Sequence, residues 1–160
     1  MANSTFNGPV RSENGFQSIA KSSTTGAVTS TMTLRTYEAT ITVANGATTG
    51  KESAVGIPAN FIPMGVTVAV TTASTNSVNL HDIGTDADTD GYVDGISAAL
   101  NTTGFKGFFG CNGVLGMSGF TTGASGLVVD EVELVVSGDP GSDTVIVLKF
   151  FGISSSSDAS

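Results

Sequence analysis

At 160 residues the chain is long enough for one domain with a sizeable core plus tails. It is rich in Gly, Ser and Thr, lacks Trp and carries a net charge of −8, which argues against a nucleic-acid surface, because phosphate binding needs clustered Lys and Arg. Cys111 is the single cysteine, so an intrachain disulfide and a Cys₄ or Cys₂His₂ zinc site are excluded.

The opening, MANSTFNGPVRSENG, has neither the basic region nor the apolar run of a secretory signal. No apolar run approaches the ~20 residues of a membrane span. A soluble protein made in a cytoplasm, without membrane contact, is the expectation. Residues 1–36 read as an extended arm. Phe6, Val10, Phe16, Ile19 and Val28 are spaced irregularly among Ser, Thr, Asn and Gly, and Gly8 and Pro9 break the start. A polar segment with a few large apolar anchors orders against a partner, or else stays a loose terminus. Only 27–34 alternates as a strand does. The arm sits near charge balance, with Arg11, Lys21 and Arg35 against Glu13 and, just beyond it, Glu38; all other acids lie further on.

From Tyr37 onward the pattern is that of strands. Alternation over 39–43, 53–57, 65–72 and 78–83 is punctuated by a Gly-rich turn at 45–50 and a bend holding Pro58 and Pro63. An acidic loop then leads to a second apolar strand at 92–100. Glycines follow at every third position from 104 to 119, but a collagen-like helix also wants Pro in its triplets and there is none. Asn112-Gly113 is instead a turn signal between 105–109 and 114–117. Phe105, Phe108, Phe109 and Phe120 are expected to pack on the sheet or on a neighbouring subunit. Residues 127–137 and 144–152 read as a long hairpin closed by GDPGSD. Its acids Asp130, Glu131 and Glu133 would lie toward water, with Lys149 opposing one of them. Short strands at this spacing predict a sandwich or barrel.

Few constellations carry chemistry. His81 is the only histidine and no serine sits in a G-x-S-x-G elbow, so no nucleophile–base pair stands out and no enzyme is expected. Cys111 reads as a small apolar filler or turn residue, with Lys106 the one local cation that could favour a thiolate. The segment DADTDGYVD is the exception. It places Asp86, Asp88, Asp90 and Asp94 at positions one, three, five and nine of an EF-hand-type loop, with Gly91 at six and the Tyr92 carbonyl at seven. Position twelve is Ser97 rather than a bidentate Glu, and the flanks are strand-like. Two readings stand: a solvated acidic connection between strands, or a weak calcium site, calcium being the one cofactor considered.

Several segments resemble a jelly-roll domain of small virion proteins from tailed bacteriophages. They are ATITV, IPANFIPMGVTVAVTT, VNLHDIGTDADTDGYVDGIS and the pair LVVDEVELVVSG and DTVIVLKFFG. The leader STFNGPVRSENGF is similar to openings of structural proteins from marine phages, cyanophages among them. The resemblance implies an all-β, antiparallel jelly-roll-like β-sandwich over 37–153, an N-terminal arm at 1–36 and a disordered tail at 154–160. It also implies a capsid decoration (cement) protein on the outer surface of the virion, assembled in the host cytoplasm. Its partners would be the major capsid protein and further copies of itself, as a trimer. Phe6, Pro9, Val10 and Phe16 would then be apolar anchors on the shell, with Arg11 and Arg35 pairing to shell carboxylates. The alternative is a head-fibre or tail appendage that binds host-surface glycan with calcium assistance.

Overall fold

Long runs in which every second residue is aliphatic dominate the described chain, and each becomes a strand with one face turned inward. The computed structural model describes residues 17–52, 61–112 and 132–156. Its strands are β1 (Gln17–Lys21), β2 (Val28–Val43), β3 (Thr49–Lys51), β4 (Phe61–Thr72), β5 (Asn79–Gly84), β6 (Ala98–Ala99), β7 (Gly104–Gly110), β8 (Glu133–Val136) and β9 (Thr144–Ser156). None of the described residues is helical, and no helix long and apolar enough to cross a membrane is found among them.

The strands form two antiparallel sheets, β1-β2-β9-β4-β7 and β3-β8-β5-β6. The pairing is nested: β2 pairs with β9, β3 with β8, β4 with β7 and β5 with β6. Side chains of both sheets meet in one core. Ile41, Val68 and Leu148 of the first sheet are fully buried with Leu80, Ile83 and Leu134 of the second. The result is an antiparallel, all-β sandwich of two sheets.

Four expectations change. The boundary at residue 36 falls inside β2, whose backbone pairs with β9 without a break from Thr31↔Ser156 to Val43↔Thr144. The alternation over 27–34 therefore continues into 39–43 as one strand, and β1 pairs on its first half. Arg35 is consequently a strand residue, opposite Gly152, and β9 carries the expected tail as far as Ser156. Pro63 lies within β4 rather than in a bend between strands. It sits where the register with β9 slips between Pro63 and Gly65, and a residue without an N–H is tolerated at such a bulge. The apolar stretch 92–100 is mostly not strand. Only Ala98–Ala99 is a strand, and Val93 makes one isolated bridge to Ile83, yet Tyr92, Val93, Ile96 and Leu100 are all buried. Loop side chains fill the core there.

The fourth change is topological. The turn 137–143 does not close a hairpin: β8 pairs with β3 and β5, whereas β9 pairs with β2 and β4. The chain crosses from one sheet to the other between them. Glu133 is accordingly only 6% exposed, and Lys149 pairs with Glu38 across β2 and β9 at 2.8 Å. Expectations for 53–57, Pro58, 114–117, Phe120, Asp130, Glu131 and the arm residues Phe6, Pro9, Val10, Arg11 and Phe16 fall outside the described residues.

Candidate functional site

The acidic loop begins where β5 ends at Gly84, and it doubles straight back. Thr85 N–H donates to the Asp88 carbonyl (2.8 Å), Gly91 N–H donates to the same carbonyl (3.1 Å), and Tyr92 and Val93 N–H both donate to the Ile83 carbonyl (2.9 Å each). A Cβ at Gly84 would collide with the backbone of Asp88 and Thr89, so a side chain there is incompatible with this tight return. Tyr92 anchors the loop from below. Its ring is buried and meets Phe150 edge-on, with centroids 5.7 Å apart.

The carboxylates of this loop do different things. Asp86 forms an ion pair with Lys51 of β3. Asp88 and Asp90 hydrogen-bond to each other. That bond, followed by slight desolvation and the neighbouring charge, holds the Asp88 carboxyl above its ordinary range. Asp94 is fixed through its backbone: its N–H donates to Asn112 Oδ1 (3.0 Å) and its carbonyl accepts from Asn112 Nδ2 (3.3 Å). Close by, Asp82 Oδ1 accepts the Gly95 N–H at 3.0 Å, and its other oxygen lies 3.2 Å from His81 Nδ1. Among the described residues no three His, Cys, Asp or Glu side chains are grouped as a metal ion would require.

The opposite end of the sandwich joins three loops. Asp139 Oδ1 accepts N–H bonds from Gly141 (2.8 Å) and Gly46 (2.9 Å), and these two bonds hold its carboxyl below the usual range. Asp143 Oδ1 accepts from Asn45 N–H at 2.9 Å. Asn76 Nδ2 donates to the Asp139 carbonyl (3.0 Å), while the N–H groups of Thr75 and Asn76 both reach the Pro140 carbonyl (3.0 Å each). In the sequence GDPGSD reads only as a turn. Its readable signal was Asp139 two residues before Gly141, the spacing of an Asx turn.

Cys111 packs against the core, and burial pushes its thiol up to about 12, so it is protonated at neutral pH. Tyr37 bridges to Glu52 through an O–H···Oε2 bond of 2.7 Å; desolvation, then that bond, raises its phenol. The exposed large apolar residues among those described are Leu34, Met64, Phe105 and Phe108. Phe109 turns inward, half-buried against the core. Arg35 is exposed on β2. In comparisons with protein-family models, curated proteins and solved structures, none matches this chain.

Proposed function

We propose that this chain is a virion structural protein of the capsid-decoration type. It would sit on the outside of a phage head, bind the major capsid protein and stabilise the shell as a symmetric oligomer, a trimer. The observation that carries the reading is the nested pairing of β2 with β9, β3 with β8, β4 with β7 and β5 with β6. Nested pairing in a two-sheet shell supports a jelly-roll reading, the architecture whose sequence segments this chain resembles. An acidic body is consistent with crowded copies that must not aggregate on a shell. The appendage reading calls for exposed aromatics beside the acidic loop. Among the described residues the exposed aromatics Phe105 and Phe108 stand on the first sheet, whereas that loop leaves β5 of the second, so copy number is what separates the two readings.

The test is retention on particles. Because β1 and the first half of β2 belong to the sheet, the informative deletion removes residues 1–16 rather than the whole expected arm. The shortened chain should keep a cooperative melt and lose binding to purified capsids. Undiminished retention would remove the arm from the proposal. A handful of copies per particle, instead of hundreds, would replace decoration with an appendage.

A further inference from the structure

We propose that the outer face of the first sheet, centred on β7 and β4, is the surface on which a second copy of this chain docks. The inference gives a location to the oligomer of the preceding reading and rests on that part of it.

The face is identified by register. Val66, Val68 and Val70 of β4 point into the core, so their neighbours Thr67 and Ala69 point away from it, and these stand opposite Phe108 and Phe105 of β7. The two phenylalanines are 59% and 69% exposed, more than any other large apolar residue described. Phe108 is not loose. A Cβ at Gly65 would run into its ring, so the ring lies across the bare glycine of the neighbouring strand, fixed but with most of its surface in water. A rigid, exposed aromatic is the kind of group that contributes most when an interface closes over it. On β9 the outward residues Val145, Val147 and Phe151 continue the apolar surface, half-buried.

The edge of this sheet points the same way. β7 is the terminal strand, and no described strand pairs with its outer side. Edges of that kind are usually guarded by Pro, by inward charge or by a covering element. The sequence GFKGFFG offers only Lys106, whose Nζ is engaged by Thr102 Oγ1 at 2.6 Å.

Charge selects the occupant. With a net charge of −8, one copy repels another over most of its surface. The first sheet is the exception. Its single described acid is Glu38, already neutralised by Lys149; the other acids described belong to the second sheet or to loops. A partner with a strongly basic patch would be drawn to those acids. With Glu38 paired to Lys149 and Lys106 adding a cation, this face carries exposed phenylalanines and no excess of acid, so it is where two otherwise acidic copies can meet without repulsion. Size agrees: four strands about 4.8 Å apart and ten residues of about 3.3 Å give roughly 600 Å² in projection, near the roughly 800 Å² that each partner contributes to a standard interface once side-chain relief is added.

Sedimentation of the full chain, free of capsids, tests this. The unaltered protein should be oligomeric at about 100 μM, since a contact of this size anchored by two phenylalanines supports at least micromolar affinity. Phe105→Asp should weaken association by at least about thirtyfold, as loss of an interface anchor does. Ala99→Asp, which adds the same charge on the second sheet, should not. A monomeric unaltered chain, or a folded Phe105→Asp chain that associates as before, would overturn the proposal. If Phe105→Asp does not fold, hydrogen exchange of the unaltered chain decides: β7 amides should lose protection on dilution, and concentration-independent exchange there sinks the idea. Retention on capsids is read separately, so its loss with the oligomer intact counts against the decoration reading alone.

Discussion

The two ends of the sandwich both carry acidic loops, and they use their carboxylates in opposite ways. At one end Asp139 and Asp143 accept backbone N–H bonds from their own turn and from the turn at Asn45–Gly46, and the Asp139 carboxyl is lowered by the donors around it. At the other, Asp88 and Asp90 face each other and the Asp88 carboxyl is raised. A carboxylate that meets N–H groups is held in its charged form; one that meets a second carboxylate is pushed toward its neutral form. The first arrangement ties three loops together with no ion. The second is anchored by neighbours, Tyr92 beneath it and Lys51 beside it, and its acids add repulsion. Local density of Asp is therefore a poor guide to what acids do in this molecule.

The largest expected effect comes from removing the anchor of the acidic end. Tyr92→Ala deletes a buried ring in contact with Phe150 and should cost about 3 kcal/mol or more, the usual scale for truncating a buried aromatic, measured by denaturant unfolding. Hydrogen exchange sharpens the comparison. Amides of Tyr92 and Val93, which bond to Ile83, should lose protection, while those of Thr75 and Asn76 at the far end keep theirs relative to global unfolding. Equal losses at both ends would show that the ends do not respond separately.

Asp139→Ala attacks the other end and should lower the melting temperature at neutral pH by a smaller amount, because the site is open to solvent. Its pH dependence has a definite sign. The Asp139 carboxyl is lowered in the folded protein, so its contribution is complete above the unfolded value of about 3.9 and is lost as pH falls through the lower folded value. Melting curves of the two proteins should differ at neutral pH and converge in acid. A difference that persists unchanged in acid would mean that Asp139 acts through packing rather than as an acceptor.

Why the ends were not equally legible follows from what sequence encodes locally. Alternation exposed β2, β4, β5 and β9, because burial of one face repeats every second residue, and that was enough for the all-β sandwich. It could not show which strands share a sheet. The residues 127–137 and 144–152, with GDPGSD between, satisfy every local rule for a hairpin, yet β8 and β9 lie in different sheets. Partner choice is decided by the whole core, and the burial of Glu133, although Leu134 and Val136 rather than Glu133 face that core, is something no local rule foresees. In the sequence Tyr92 offers its carbonyl as a ligand; in the fold its buried ring against Phe150 is what places the loop. The outward aromatics Phe105 and Phe108 were visible as residues. Their exposure depends on a register with β4 that only the folded sheet defines.

The smallest expected effect bears on the acidic loop itself. The Asp88 carboxyl is raised, so the folded chain holds that proton more tightly than the unfolded chain does. Folding is then favoured in acid and loses ground as pH rises from the ordinary carboxylate value through the raised one. Asp88→Asn removes the repulsion, and its amide can still donate to Asp90. The substitution should raise the melting temperature slightly at neutral pH and by nothing in acid, and added salt should shrink the gain, since the site is exposed and screened. A calcium ion bridging Asp88 and Asp90 would relieve the same repulsion, so calcium would stabilise the unaltered chain and do little for the variant. With Asp86 engaged by Lys51 and Asp94 fixed through its backbone, the expected result is coincident melting curves in calcium and in chelator. A calcium-dependent rise that Asp88→Asn abolishes would instead make the acidic end a metal site, and would give both ends of the sandwich a means of holding their carboxylates charged.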